Sequence, residues 1–366
     1  MSKINFNNTM TINQLISIIP EMSITREEDD THITPIILSE PGCGKTSILK
    51  GMKKEHGDKY DYIYVDCPSK DFLDIAASIP DHGTKQLDQY IGSLFKMDSK
   101  KPKAIMLDEV FKLPKMMKVL FTRLMLERCI GDKELPLGSF VFGTSNNASD
   151  GIGDFAQAHE GNRVCMLNMA KTNGKDWCIW ATEEGLSSKL RAFVSMNPRI
   201  MASYKDGGQE NNAMIFNPVK PNQSVTFASP RTVAKCDRAV RNYSKWGRDA
   251  TLSVLAGTIG LAAAELLSVF LDMDKNVAST DEIIKDPENI AIPADVAALC
   301  MVMFNAVDDI KTQDDLSSFM KFIKRIQHEE LQSVFFTMLT ANSRTTRLAN
   351  NNDEIKKWTE ANYKFM

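Results

Sequence analysis

Apolar positions recur along this chain in two rhythms. Between Ile33 and Met169, short apolar runs alternate with longer stretches of helical spacing. Ile33 to Leu38, Tyr62 to Asp66, Ala104 to Leu107, Phe140 to Thr144 and, more weakly, Val164 to Met169 read as strands. Ser47 to His56, Thr84 to Lys96 and Leu113 to Glu127 read as the helices between them. Strands alternating with helices predict a parallel sheet covered on both faces. Ahead of them, Ile12 to Ile19 reads as a short amphipathic helix. Thr11 is its N-cap candidate, Ile12, Leu15, Ile16 and Ile19 share one side, and Pro20 is expected to stop it. The polar stretch Thr25 to Thr31 reads as a linker.

After about Thr172 the strand rhythm fades. Lys175 to Phe193 has helical spacing broken near Gly185, and the Gly-, Asn- and Pro-rich run Lys205 to Ser224 reads as a long loop. Ser229-Pro230 marks a helix start, with Ser as cap and Pro at the first helical position. From Thr251 onward the pattern is helical, interrupted at Asp286-Pro287, Ile292-Pro293 and Asn350 to Asn352. Leu252 to Leu271 has the length of a membrane span. It contains Glu265 with several Gly and Ser residues and lacks flanking aromatics, which predicts a buried helix or two shorter ones and no membrane span.

Length and composition bound the rest. At 366 residues, two or three domains are expected. With 43% hydrophobic and 25% charged residues the chain fits the soluble globular class. A net charge of −3 gives no global attraction to nucleic acid or anionic membrane. Local patches such as Lys53-Lys54, Lys100-Lys101 and Lys112 to Lys118 leave nucleic acid open as a ligand. Seven cysteines without metal-ligand spacing read as reduced thiols, and MSKINFNNTM lacks a secretory core, so a cytoplasmic location is expected.

The chemistry concentrates in Ser39-Glu40-Pro41-Gly42-Cys43-Gly44-Lys45-Thr46, between the first core strand and the helix opening at Ser47. A tight Gly-rich turn before a helix points backbone N–H groups inward around phosphates. Lys45 then reaches the β- and γ-phosphates and the Thr46 hydroxyl ligates Mg²⁺. Pro41 to Ser47 are the candidate cofactor-binding residues. Cys43 is either an activated thiol at the helix start or a filler facing away. Asp108 and Glu109 end the strand at Lys103 to Asp108, where the aspartate suits an Mg²⁺ ion and the glutamate an attacking water. Asn146, in Gly143-Thr144-Ser145-Asn146-Asn147, suits the same water. Arg163 and Arg231 are candidate cations for the transferring phosphoryl group.

In this order the motifs resemble those of the AAA+ ATPases, and within them the MoxR-like branch. The resemblance runs from about Ile33 to Asp249. SEPGCGKT resembles the Walker A motif, with Ser39 where the family has Gly, and AIMLDE resembles Walker B. Leu126-Glu127-Arg128 resembles a helix-end signature, and ELPLGSFVFGTSNN resembles the segment ending in sensor 1, with Asn146 at the sensor. Gly161-Asn162-Arg163 stands where the family's Asp-Arg-Phe carries an arginine finger; Arg123 and Arg128 are the rival cations. Asp176-Trp177, Asn197-Pro198-Arg199, Phe216-Asn217-Pro218 and Ala228 to Thr232 resemble the lid, with Arg231 at sensor 2, and Gly247-Arg248-Asp249 closes it.

The resemblance implies an α/β fold: an AAA+ three-layer parallel-sheet core followed by an α-helical lid and a further helical region. Expected boundaries are 1–30 for an N-terminal helix and linker, 31–172 for the core, 173–271 for the lid and 272–366 for a C-terminal extension. It implies Mg²⁺-dependent ATP hydrolysis with Glu109, Asn146, Arg163 and Arg231 as catalytic residues, and Thr46 and Asp108 as metal ligands. It also implies a homo-oligomeric ring, typically a hexamer, that remodels a protein client, with a von Willebrand A-domain protein as the partner class of relatives. A nucleic-acid motor or loader and a slow, nucleotide-gated structural subunit are the other readings.

Overall fold

Ile36 and Ile37 are neighbours in sequence and fully buried in two different cores. That is the signature of a strand covered on both faces, because successive side chains of a strand point to opposite sides. The same split recurs in the computed structural model at Ile105 and Leu107 against Ala104 and Met106, and at Val141 against Phe140 and Phe142. The structure describes residues 9–25, 32–83, 86–113, 115–147, 164–219, 225–273 and 277–361. The chain divides into two compact units, Met1–Lys171 and Thr172–Met366.

In the first unit, β1 (Thr9–Met10) precedes α1 (Ile12–Ser23), β2 (Pro35–Ser39), α2 (Ser47–His56), β3 (Asp61–Asp66) and α3 (Phe72–Ile75). Then come β4 (Ala76–Asp81), β5 (Gln86–Ile91), β6 (Lys103–Asp108), α4 (Lys115–Glu127), β7 (Cys129–Ile130), β8 (Lys133–Glu134), β9 (Phe140–Asn146) and β10 (Cys165–Met169). Among the described residues six strands form one sheet in the order β1-β10-β2-β9-β6-β3, every pair parallel. One face carries α1 and α2 through Leu15, Ile16, Ile19, Ile48, Leu49 and Met52. The other carries α4 through Met117, Phe121 and Leu124, spaced at i, i+4 and i+7. The expected three-layer α/β core is therefore present, followed by the expected helical region.

Two local readings need correction. Helix α1 runs through Pro20 to Ser23, with the Ile24 amide donating to the Pro20 carbonyl. Proline removes one helical donor but leaves its own carbonyl available, and a Thr11–Gln14 capping box secures the start. The segment expected as a helix from Thr84 to Lys96 instead holds β5, paired antiparallel with β4 from Ala76↔Ile91 to Asp81↔Gln86. The chain turns after β4 at His82-Gly83, and cross-strand pairing wins over the helix-like spacing of Leu87, Tyr90 and Ile91.

In the second unit, helices Gly174–Glu183 and Ser188–Met196 flank Gly185 at φ 70°. The long hydrophobic run divides into Arg248–Ile259 and Leu261–Met273 at Gly260. No helix among the described residues is long and apolar enough to cross a membrane. One buried cluster extends from Trp177 to Ile355, so residues before and after 271 share a core. The buried Arg191 helps join them. Its guanidinium meets Asp308 at 2.5 Å, donates to the Thr182 hydroxyl at 2.9 Å and lies over the Phe304 ring.

Candidate functional site

Strand β2 ends at Ser39, and the loop from Glu40 to Lys45 turns into α2. Gly42 and Gly44 sit at φ 77° and 89°, the left-handed region open to glycine. A Cβ on Gly44 would have ordinary space, 3.6 Å from Ser47 Oγ, so the backbone angle is what demands glycine there. Pro41 and Ser47 are half-buried; Ser47 opens α2, and its amide donates to the Gly44 carbonyl at 2.8 Å. Cys43 is 1% exposed within the core on the α1–α2 face, which favours the filler reading over a reactive thiol.

Lys45 is the central cation. It is only 7% exposed, and its Nζ donates to Asn146 Oδ1 at 2.7 Å and to Ser39 Oγ at 3.2 Å. Strand register makes this possible, because Ser39 pairs with Asn146 across β2 and β9. The Asn147 amide adds a bond to the Ser39 carbonyl at 3.2 Å. Serine at this position therefore supplies an acceptor for Lys45 that glycine would lack.

Asp108 ends β6, the strand on the other side of β9. The Thr144 hydroxyl donates to its Oδ1 and the Tyr64 hydroxyl to its Oδ2, the latter at 2.8 Å. Glu109 follows in the left-handed region at φ 54°, and Lys112 Nζ meets its Oε2 at 2.6 Å. Burial first, then the negative charges of Asp108 and Asp66, push the Cys67 thiol well above the ordinary thiol range. Cys67 is thereby held protonated beside the acids and offers no nucleophile. Glu40 faces Lys171 at 3.8 Å, both about 95% buried, which ties the loop to the segment after β10.

The sheet thus brings Lys45, Asn146, Asp108 and Glu109 to the carboxyl ends of three adjacent strands. Thr46, the residue before α2, makes no side-chain capping bond to that helix. Its hydroxyl and the Asp108 carboxylate are hard oxygen donors, the kind Mg²⁺ accepts when phosphate and water complete its shell. The residues therefore fit that ion. No cluster of three or more His, Cys, Asp or Glu side chains suited to a metal occurs among the described residues. Arg163 lies outside the described residues. Arg231 lies in the second unit, exposed in the first turn of the helix Pro230–Lys235, where Ser229 and Thr232 form a capping box. Arg123 pairs with Glu127 at 2.8 Å, whereas Arg128 is buried.

Sequence reasoning missed Tyr64, Lys112 and Lys171 as neighbours of the site, and read Thr144 only as part of the sensor segment. Strand alternation held a signal for the first. Tyr64 pairs with Met106, two residues before Asp108, so a polar side chain at 64 lies on the face leading to that acid.

No family model matches the chain, and no curated protein matches it. Among solved structures it is similar to a mutant of RuvB from Thermotoga maritima, at 11% identity and a TM-score of 0.38, over 75% of this chain and 74% of that one. It is also similar to a protein of Cytophaga hutchinsonii described as an inferred ATPase, at 14% identity and a TM-score of 0.32, over 95% of this chain and 88% of that one. Likenesses this remote decide neither family nor activity, so the functional reading rests on the sheet and its carboxyl edge.

Proposed function

We propose that this chain is an ATP-hydrolysing AAA+ protein of the MoxR-like branch, working as a ring of identical copies on a protein client. One observation carries the reading: Lys45 of a phosphate-type loop is hydrogen-bonded to Asn146 on the strand beside Asp108 and Glu109. That arrangement sets a phosphate cation, a polar amide and two carboxylates along one edge, as nucleotide hydrolysis requires.

In this reading the Gly42–Gly44 turn and the start of α2 receive the phosphates, and Lys45 turns from Ser39 and Asn146 toward them. Thr46 and Asp108 would hold Mg²⁺, which when bound would supply charge neutralisation for the phosphates. Glu109 takes a proton from water as that water attacks the γ-phosphorus. The bond to the β–γ bridging oxygen breaks, releasing ADP and inorganic phosphate. Asn146 orients the water. Arg163 from a neighbouring copy meets the charge developing on the phosphoryl group, and Arg231 reports the γ-phosphate's presence to the second unit. A von Willebrand A-domain protein is the client class the resemblance suggests.

Replacing the carboxylate while keeping its shape tests the assignment. Glu109→Gln should retain ATP binding and lower turnover by about 10²-fold or more, the lower bound of the usual general-base contribution. Retained turnover in that variant overturns the role of Glu109. ATPase activity stimulated by DNA, with binding that weakens steeply as salt rises, transfers the reading to a nucleic-acid motor.

A further inference from the structure

We infer that Tyr64 is a positioning residue for the cation-binding carboxylate, working as one jaw of a two-hydroxyl clamp on Asp108. The inference rests on the hydrolytic reading above and deepens it at one ligand. Each oxygen of Asp108 receives one hydroxyl donor: Oδ1 from Thr144, fully buried on β9, and Oδ2 from Tyr64, on β3. The two donors approach from the strands on either side of β6, so the carboxylate is gripped from both flanks of its own strand.

The chemistry follows from counting lone pairs. An ionised carboxylate offers about four acceptor positions over its two oxygens. Two hydroxyls occupy one position on each oxygen, fix the plane of the group and leave one position on each for a cation or its bound water. A free aspartate would instead rotate about its terminal torsion, which is broad and roughly two-fold. Orienting partners of this kind commonly govern how tightly a carboxylate holds a metal. Tyr64 is 40% exposed, so close packing of the residue does not by itself account for the bond its hydroxyl makes to a carboxylate 44 residues away.

The test reads cation dependence separately from nucleotide affinity. In the full-length chain, binding of a fluorescent ATP analogue is titrated with Mg²⁺ and repeated in EDTA. Tyr64→Phe keeps the ring and removes only the donor; Thr144→Val removes the other donor and Thr144→Ser restores it. Tyr64→Phe and Thr144→Val should each raise the Mg²⁺ midpoint about tenfold, with analogue affinity in EDTA unchanged and Thr144→Ser close to the parent. A Tyr64→Phe midpoint equal to the parent's overturns the clamp. So does a loss of affinity that is equal with and without Mg²⁺, because that marks a structural role. If the parent chain itself binds no analogue, the hydrolytic reading fails and the clamp fails with it.

Discussion

Arg128 combines two unusual properties, a left-handed backbone at φ 56° and a guanidinium in a residue only 2% exposed. Its Nη1 donates to the Thr34 hydroxyl at 2.8 Å and to the Met125 carbonyl; its Nη2 donates to the Ser23 hydroxyl at 2.8 Å and the Ser23 carbonyl at 3.1 Å. Burial pulls its pKa down to about 10, still leaving it charged at neutral pH. The side chain is thus committed inside its own chain, where it joins the end of α4 to α1 and the approach to β2. This answers one rivalry left by the sequence: Arg128 has no side chain to lend a neighbouring copy. Arg128→Met should lower stability by about 3 kcal/mol, because the buried Ser23 carbonyl loses a charged donor and its neighbours lose theirs. Urea denaturation of the isolated chain measures this, and an unchanged midpoint removes the bracing role. The phosphate loop and the Asp108-Glu109 pair were legible because each is a short local pattern. Arg128 was visible only as a helix-end letter, since its Thr34 and Ser23 partners lie 94 and 105 residues away. Tyr64, for the same reason, carried no local mark of its bond to Asp108.

At the scale of the element, glycines decide where helices divide, and two of them in one segment act in opposite senses. Gly260 sits at φ 83° between the helices Arg248–Ile259 and Leu261–Met273, and a Cβ there would lie 2.7 Å from the Thr226 backbone carbonyl oxygen. Gly257, three residues earlier in the first helix, would meet nothing within 4 Å. Gly260→Ala should therefore destabilise the second unit by about 2 kcal/mol or more, from the strained angle and the backbone collision together. Gly257→Ala should stabilise it by about 0.5–1 kcal/mol, by removing backbone freedom from the unfolded chain. Opposite shifts of the denaturation midpoint check the pair, and shifts of one sign refute it. The sequence left open one buried helix or two shorter ones in this apolar run, and the structure has two. The sequence could not announce the close approach of the residue 226 carbonyl, which only the folded chain brings to Gly260. The β4–β5 hairpin was illegible for a related reason: its helix-like spacing is local, whereas its strand pairing depends on a partner brought near by the turn.

At the scale of the molecule, the two units differ in where their buried charge lies and in how they can be watched. All four tryptophans, Trp177, Trp180, Trp246 and Trp358, belong to the second unit, so tryptophan emission reports that unit. The first unit carries a fully buried Lys103 whose Nζ donates to Asp61 at 2.7 Å and to the Ser99 carbonyl at 2.9 Å. The Lys103 hydrogen bond is the largest influence on Asp61 and holds its carboxyl below the usual carboxylate value of 3.8, against an opposing push from burial. A depressed carboxylate pKa stabilises the fold above the unfolded value, and that contribution is lost as pH falls through the folded one. Protonating Asp61 also leaves a buried ammonium without its counter-charge. Acid should therefore loosen the β3–β6 edge of the sheet, where Asp61 pairs with Lys103, as the pH drops below about 4. The protection factors of the β3 and β6 amides, each taken against that amide's intrinsic exchange rate at the same pH, should fall across that range in the parent chain. Asp61→Asn should flatten this acid dependence while lowering stability at neutral pH, because it keeps an acceptor but removes the charge. If the amides of β3 and β6 keep the same pH profile in both proteins, the Asp61–Lys103 pair is not what anchors that edge. Tryptophan emission, followed in parallel, separates this local loss from unfolding of the second unit.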